Sequence, residues 1–171
     1  SRTLKGVSRA PRQPGGNGVH MMTRIDARDR LIVALDVPSA AEADALVARM
    51  GDQVRFVKVG LELYTVAGPD IVRKLVDRGK RVFLDLKFLD IEETVRRATA
   101  RVAAMGATFL TVHANRKALI AAVQGRGSSD LKLLAVTVLT NFDGEDLREM
   151  GIQRSVQDLV TARAMLAAEV G

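Results

Sequence analysis

The sequence contains no cysteine, and its 171 residues include only two histidines, His20 and His113. Without cysteine there can be no disulfide, no thiolate nucleophile and no cysteine-ligated zinc. Two histidines are too few for a histidine-based metal cluster, so we do not expect one. A chain without cysteine also fits a reducing cytoplasm, which is the location we expect.

Long apolar runs are also missing. No stretch approaches the roughly 20 apolar residues that span a membrane, and the first residues lack the apolar segment of a signal peptide. Five phenylalanines, one tyrosine and no tryptophan give few surfaces for stacking bases. Five of the six net positive charges lie in residues 1–25, so residues 26–171 carry a net charge of only +1. We therefore predict no membrane partner and no nucleic-acid partner.

Acidic residues are absent from residues 1–25, which are basic and rich in glycine and proline. Such a segment buries too little apolar surface to offset the entropy lost on ordering. We predict that residues 1–28 form a disordered basic tail. An extension upstream of the Met21–Met22 pair, or a cloning remnant, accounts for it better than a transit peptide, because no amphipathic periodicity is present.

Beyond the tail, strand-like apolar runs alternate with helical patterns. The predicted strands are 31–37, 54–60, 81–87, 107–113 and 131–139, and the predicted helices are 39–50, 68–78, 90–105, 115–124 and 154–170. Successive strands begin about 25 residues apart, a spacing typical of parallel strands joined by right-handed helical crossovers. We predict the α/β class, specifically a (β/α)8 TIM barrel, with about five β/α units present in this chain.

Charged residues cluster where the predicted strands end. Strand side chains alternate between faces, so Asp85 and Lys87 share one face of strand 3. By the same rule Asp36 and Lys58 lie near the ends of strands 1 and 2. Active sites of TIM barrels lie at this end of the strands, and structural stability alone does not require four charges there. The same face of strand 4 carries Thr111 and His113, and Asn141 follows strand 5.

Each candidate also has a purely structural interpretation. Asp90 with Glu93 has the spacing of a capping box, which would satisfy free amides at a helix start. Lys58 could merely neutralise a neighbouring carboxylate, His113 could be a satisfied strand-end histidine, and Thr94 would ordinarily lie on a helix surface. The convergence of four charges from three strands favours a functional site.

Five segments of the chain resemble the successive strand motifs of the orotidine 5′-monophosphate decarboxylase family. They read LIVALDVPS (31–39), FVKVGLELYTVAGP (56–69), RVFLDLKFLDIEETV (81–95), TVHA (111–114) and LLAVTVLT (133–140). The Asp-x-Lys-x-x-Asp-Ile-x-x-Thr pattern within the third segment is highly specific. The resemblance implies a dimeric barrel that converts orotidine 5′-monophosphate to uridine 5′-monophosphate (UMP) and carbon dioxide, a step of pyrimidine biosynthesis, without metal or cofactor.

The resemblance also implies roles for individual residues. Lys87 would protonate C6 of the pyrimidine as carbon dioxide leaves, with Asp85 beside the substrate carboxylate. Lys58 and Asp36 would hold ribose hydroxyls. Asp90 and Thr94 would reach the neighbouring subunit's site, and Asn141 would lie at the pyrimidine. The remaining candidates are Thr140, as a substrate-binding residue, and Ile91 and His113.

Some positions depart from the family pattern. Leu89 stands where a histidine is usual, Glu92 and Glu93 replace a Pro-Asn pair, and Asn141 occupies the place of a common serine. Asn can both donate and accept hydrogen bonds, as that serine does. We also weigh a sister sugar-phosphate lyase of the hexulose-phosphate synthase or ketogulonate-phosphate decarboxylase type, but such relatives usually carry a metal-binding acid at the position of Lys58.

Eight units of about 25 residues would need about 200 residues, more than the chain has after residue 30. We therefore interpret residues 29–171 as units 1 to 5 of a partial barrel, belonging to a fragment or to a natural truncation. We expect the 171-residue chain by itself to be inactive and marginally folded, because its terminal strands would leave open edges. The alternative from another class of protein is a non-catalytic dimerising fragment.

Overall fold

Five parallel strands form one sheet in the order β1-β2-β3-β4-β5. The computed structural model describes residues 25–171. The predicted disordered tail therefore lies outside the described residues except for residues 25–28. There a 3₁₀ turn at Ala27–Asp29 begins after Asp26, whose carboxylate accepts a hydrogen bond from the Arg28 amide.

Helices alternate with the strands along the chain. The strands are β1 (Ile32–Ala34), β2 (Phe56–Gly60), β3 (Arg81–Phe88), β4 (Phe109–His113) and β5 (Lys132–Val136). The helices are α1 (Ala40–Met50), α2 (Leu61–Ala67), α3 (Asp70–Asp77), α4 (Glu92–Ala104), α5 (Arg116–Arg126), α6 (Gly144–Glu149) and α7 (Val156–Val170). Each strand pairs in parallel with the next, which confirms the predicted α/β order.

Strands β1 and β5 are shorter than predicted, and for β5 the neighbouring strand sets the limit. The last residue of β4, His113, pairs with Val136, so β4 offers no further partner to the residues after β5. Strand β1 pairs with β2 only as far as Ala34 opposite Lys58, and the Leu35 amide then donates to the Lys58 carbonyl at 2.9 Å.

Two short helices were not predicted. Helix α2 contains Thr65 and Val66, β-branched residues with weak helix propensity. Helix α6 begins with a capping box in which Asp143 and Asp146 each accept a backbone hydrogen bond from the other. An aspartate at the position where glutamate or glutamine is usual made that signal easy to overlook.

The two faces of the sheet differ in character. On one face, fully buried aliphatic side chains of β2, β3 and β4 pack against the helices: Val57, Val59, Val82, Leu84, Leu110 and Val112. On the other face, the ring centroid of Phe109 lies 5.3 Å from that of Phe56 and 6.0 Å from that of Phe83. Two residues further along each of these strands, on the same face, come Lys58, Asp85 and Thr111. The aromatic cluster therefore forms an apolar layer directly before the polar residues of the candidate site.

Within residues 25–171 no helix is long and apolar enough to cross a membrane.

Candidate active site

A bulge in β3 presents the central residues of the site. Leu84 pairs with Leu110 and Phe88 pairs with Val112, so three residues of β3 stand opposite Thr111 alone. Within this bulge Lys87 has φ of 51°, and it is the one non-glycine residue among residues 25–171 with a positive φ. That conformation costs roughly 1–2 kcal/mol for an L-residue. The regular alternation used to predict the neighbouring positions of Asp85 and Lys87 is thus interrupted, although their side chains do meet.

Four side chains from three chain segments form a row of alternating charge. Lys58 Nζ lies 3.3 Å from Asp36 Oδ1 and 3.8 Å from Asp85 Oδ2. Lys87 Nζ lies 2.9 Å from Asp85 Oδ1. Asp85 is the most enclosed of the four, with 17% of its side chain exposed, whereas 63% of the Asp36 side chain is exposed. The structure therefore brings together all four charges that were predicted to converge.

Thr111 also belongs to this group, although it was not among the predicted site residues. Its hydroxyl donates to Asp85 Oδ1 at 2.9 Å and accepts from the Lys87 amide at 2.9 Å. Thr111 itself is buried. The available sequence signal was its position on the site-facing side of strand 4, but the register shift that brings it opposite the bulge cannot be read from strand spacing.

The pKa of the Asp85 carboxyl is lowered in this setting. Burial favours the neutral form, but hydrogen bonds from Lys87 and Thr111, together with the positive charges of Lys87 and Lys58, outweigh it. Asp85 is therefore ionised at neutral pH, and its negative charge stabilises two ammonium groups beside it. Such an array can bind a polar, hydroxylated substrate and can deliver a proton from a fixed ammonium.

Asp90 and Thr94 lie on one side of the site, where they line a cavity of about 280 Å³ together with Lys87. Both are exposed. The capping-box interpretation of Asp90 is wrong, because the N-cap of α4 is Ile91 and no side chain caps it. The Asp90 carboxylate instead accepts from the adjacent Ile91 amide at 2.7 Å, one residue too early to cap the helix.

Glu93, the other predicted member of that capping box, pairs along its own helix. Its carboxylate accepts hydrogen bonds from Arg96 and Arg97 at 2.6–2.8 Å. These bonds lower the pKa of Glu93 to about 2. Ile91 is 70% exposed and lies outside the cavity lining.

His113 lines a second cavity of about 240 Å³ between the ends of β4 and β5, together with Asn115 and Arg163. Burial, and then the positive charges of Arg163 and Lys87, lower the pKa of His113. Arg163, which the sequence did not suggest, donates from Nη1 to the Thr137 carbonyl at 2.6 Å.

Thr140 and Asn141, both predicted to bind substrate, are exposed in a turn after β5. The Phe142 amide closes this turn on the Leu139 carbonyl at 2.9 Å. The turn adjoins the second cavity through Leu139 and Phe142. Thr140 and Asn141 do not join the charged row in the described structure.

Across residues 25–171, no three histidine, aspartate or glutamate side chains are grouped so that they could hold a metal ion.

Comparisons with known proteins agree with the resemblance read from the motifs. Residues 29–171 match the model of a family described as orotidine 5′-phosphate decarboxylase / HUMPS. The orotidine 5′-phosphate decarboxylase of Nitrobacter winogradskyi is 55% identical over 145 residues, which cover 85% of this chain and 60% of that protein. The protein of the same name from Rhodopseudomonas palustris is 49% identical over 151 residues, covering 88% of this chain and 64% of that protein. The chain thus spans less than two thirds of the length of these relatives.

Solved structures agree at the level of the fold. The crystal structure of orotidine 5′-phosphate decarboxylase from Lactobacillus acidophilus is similar with a TM-score of 0.77 and 38% identity, over 82% of this chain and 67% of that one. An uncharacterized conserved protein from Geobacillus kaustophilus is similar with the same TM-score and 40% identity, over 82% of this chain and 69% of that one. The predicted TIM-barrel architecture, present here in part, is confirmed.

Proposed function

The chain belongs to the orotidine 5′-phosphate decarboxylase / HUMPS family, and from this we propose that the whole protein converts orotidine 5′-monophosphate to UMP and carbon dioxide. The observation that carries the proposal is the row of charges formed by Asp36, Lys58, Asp85 and Lys87. The reaction is a step of pyrimidine biosynthesis, which we expect in the cytoplasm.

The chemistry of the reaction explains why a fixed ammonium is useful. The bond between C6 and the carboxylate carbon breaks, carbon dioxide leaves, and the electron pair remains on C6 in an orbital that the ring does not delocalise. A cation fixed beside C6 stabilises that charge more in the transition state than in the ground state. The Lys87 ammonium then donates its proton to C6, and solvent reprotonates the neutral amine.

Asp85 and Lys58 support this step. Asp85 accepts a hydrogen bond from Lys87 Nζ at 2.9 Å, so the ammonium has a fixed direction before substrate arrives. In our proposal Lys58 and Asp36 hold the ribose hydroxyls, since one donates and the other accepts hydrogen bonds. Asn141 contacts the pyrimidine from the turn after β5, and Thr140 beside it also binds the substrate.

We further propose a homodimer in which Asp90 and Thr94 reach the neighbouring site. Asp90 lies just before α4 and Thr94 in its first turn, and both line the same cavity. Their exposure leaves both side chains accessible to a second subunit.

The whole protein should decarboxylate orotidine 5′-monophosphate at an unchanged rate after exhaustive chelation. The physical reason is that Lys58 stands where the sister lyases usually carry a metal-binding acid. Release of carbon dioxide from substrate labelled in the carboxylate gives the rate directly. Activity that is lost on chelation and restored by magnesium would assign the protein to the sister lyases instead.

A further inference from the structure

We propose that Thr111 is a positioning residue, whose hydroxyl aims the Lys87 ammonium by holding the Lys87 backbone and the Asp85 carboxylate at once. The expected effect of Thr111 on catalysis rests on the proposed function, in which the Lys87 ammonium donates the proton. The hydrogen bonds themselves rest on the geometry of β3 and β4 alone.

The bulge in β3 creates the need for such a residue. Because Leu84 and Phe88 pair with Leu110 and Val112, the Lys87 amide has no regular partner in the ladder. The Thr111 hydroxyl accepts a hydrogen bond from that amide at 2.9 Å, which satisfies the backbone in its left-handed conformation. Without the hydroxyl, the partly buried Lys87 amide would lack a hydrogen-bond partner. This costs free energy, so the backbone of the bulge would shift away from the described conformation.

The same hydroxyl fixes the rotation of the Asp85 carboxylate. A hydroxyl carries one proton, so Thr111 can accept from Lys87 N and still donate that proton to Asp85. Asp85 Oδ1 then accepts hydrogen bonds from Thr111 Oγ1 and Lys87 Nζ, each at 2.9 Å. The other carboxylate oxygen, Oδ2, faces Lys58 Nζ at 3.8 Å. Each carboxylate oxygen thus has its own side of the site.

The charged groups that face Asp85 are Lys87 on its own strand and Lys58 on β2, with the neutral hydroxyl of Thr111 on β4. The Thr111 hydrogen bond is one of the causes that lower the pKa of Asp85. Removing the hydroxyl should therefore raise that pKa, an effect that can be measured without any enzymatic assay.

Thr99 on α4 provides a matched control. It is buried, as Thr111 is, but its hydroxyl has no hydrogen-bond partner within the described structure. Replacement of threonine by valine nearly keeps the shape and exchanges the hydroxyl for a methyl group. Thr99→Val thus reports the effect of the substitution at a buried site where the hydroxyl makes no hydrogen bond.

The experiment measures kcat and KM for orotidine 5′-monophosphate in the whole protein, together with carboxyl ¹³C NMR titration of Asp85. We expect Thr111→Val to lower kcat by about tenfold or more, with KM changed less, because the loss falls on the transition state. We also expect it to raise the Asp85 pKa. Thr99→Val should change neither quantity.

A second pair of variants tests the proposal even if the valine variant fails to fold. Thr111→Ser and Thr111→Ala differ by one hydroxyl, so kcat and the Asp85 pKa should stay near wild type in the serine variant and change in the alanine variant. Equal values in this pair, or an unchanged kcat and Asp85 titration in Thr111→Val, would overturn the proposal. If the wild-type protein fails to decarboxylate, the proposed function is wrong, and the titration still decides whether Thr111 holds Asp85.

Discussion

His113 illustrates how the fold sets the charge of a single residue. It lies half buried at the end of β4, with Arg163 of α7 and Lys87 of β3 as neighbouring cations. Burial and these charges disfavour the imidazolium, so the pKa of His113 lies below its ordinary value of 6.5. A group with this property makes the stability of the fold depend on pH.

The sign of that dependence follows from proton binding. Below pH 6.5 the unfolded chain protonates His113 while the folded chain does not, so stability falls as pH falls from 6.5 toward the folded pKa. We predict that the urea midpoint of the wild type falls over this range and that His113→Gln reduces the dependence, by at most the equivalent of one proton. The same dependence of the urea midpoint on pH in the wild type and in His113→Gln would contradict this account of His113.

Individual site residues could be predicted where strand alternation governs them. Lys58 and Asp85 follow phenylalanines of the aromatic cluster at the two-residue spacing of a strand, and they lie where that period predicts. Thr111 could not be assigned, because its contacts depend on a register shift between β3 and β4. The capping role weighed as an alternative for Asp90 is wrong, because the N-cap of α4 is Ile91 and the Asp90 carboxylate accepts from the Ile91 amide.

At the scale of elements, helices α4 and α5 pack closely against each other at Gly125. A Cβ added there would overlap the Arg96 carbonyl oxygen and lie 2.9 Å from the Thr99 Cβ. In an open helix, replacing glycine by alanine stabilises by roughly 0.5–1 kcal/mol. Here the backbone carbonyl cannot move aside as a flexible side chain could. The overlap therefore makes the substitution of Gly125 by alanine destabilising.

We predict that Gly125→Ala destabilises the protein by about 1–3 kcal/mol, the usual cost of overpacking. The control is Gly144→Ala at the start of α6, where the added Cβ meets only Arg148 Nη1 at 3.5 Å. Urea unfolding of both variants gives the two free energies. A Gly125→Ala protein as stable as the wild type would mean that α4 and α5 are not packed as closely as described.

The order of the elements was easier to predict than their ends. Apolar runs and their spacing were enough for five strands and five helices, because burial on a parallel sheet imposes continuous apolar segments. The end of β5 depends on the length of β4, a neighbour distant in sequence, so local pattern extended it too far. Helix α2 was missed because Thr65 and Val66 make its seven residues a weak helical pattern.

At the scale of the whole molecule, the assignment of Asp90 to a neighbouring subunit can be tested by mixing variants. Asp90→Ala and Lys87→Ala should each be inactive, and a mixture should recover about a quarter of wild-type activity per total site after subunits exchange. Half of the dimers are then mixed, and each mixed dimer has one intact site and one doubly damaged site.

The control for this mixing experiment is mass analysis that verifies the exchange. Asp90 and Lys87 line the same cavity of one chain, so action within a single subunit is the competing arrangement. Exchange without recovery of activity would assign Asp90 to its own subunit.

Fold class and family could be predicted for the molecule because the Asp-x-Lys-x-x-Asp pattern and the spacing of the strands agree. The family match over residues 29–171 and the TM-score of 0.77 confirm them. The proposed dimer could not be derived in the same way, since it depends on surfaces that the strand pattern does not specify.

The central claim is that the Lys87 ammonium donates the proton that replaces carbon dioxide. The most direct test is kcat of Lys87→Ala in the whole protein, with Lys132→Ala, an exposed lysine at the opposite end of β5, as the control. We predict that the Lys87 variant stays folded and loses nearly all turnover, while the control keeps the wild-type rate. Retention of more than about a tenth of the wild-type rate, a barrier change below roughly 1.4 kcal/mol, would contradict the account.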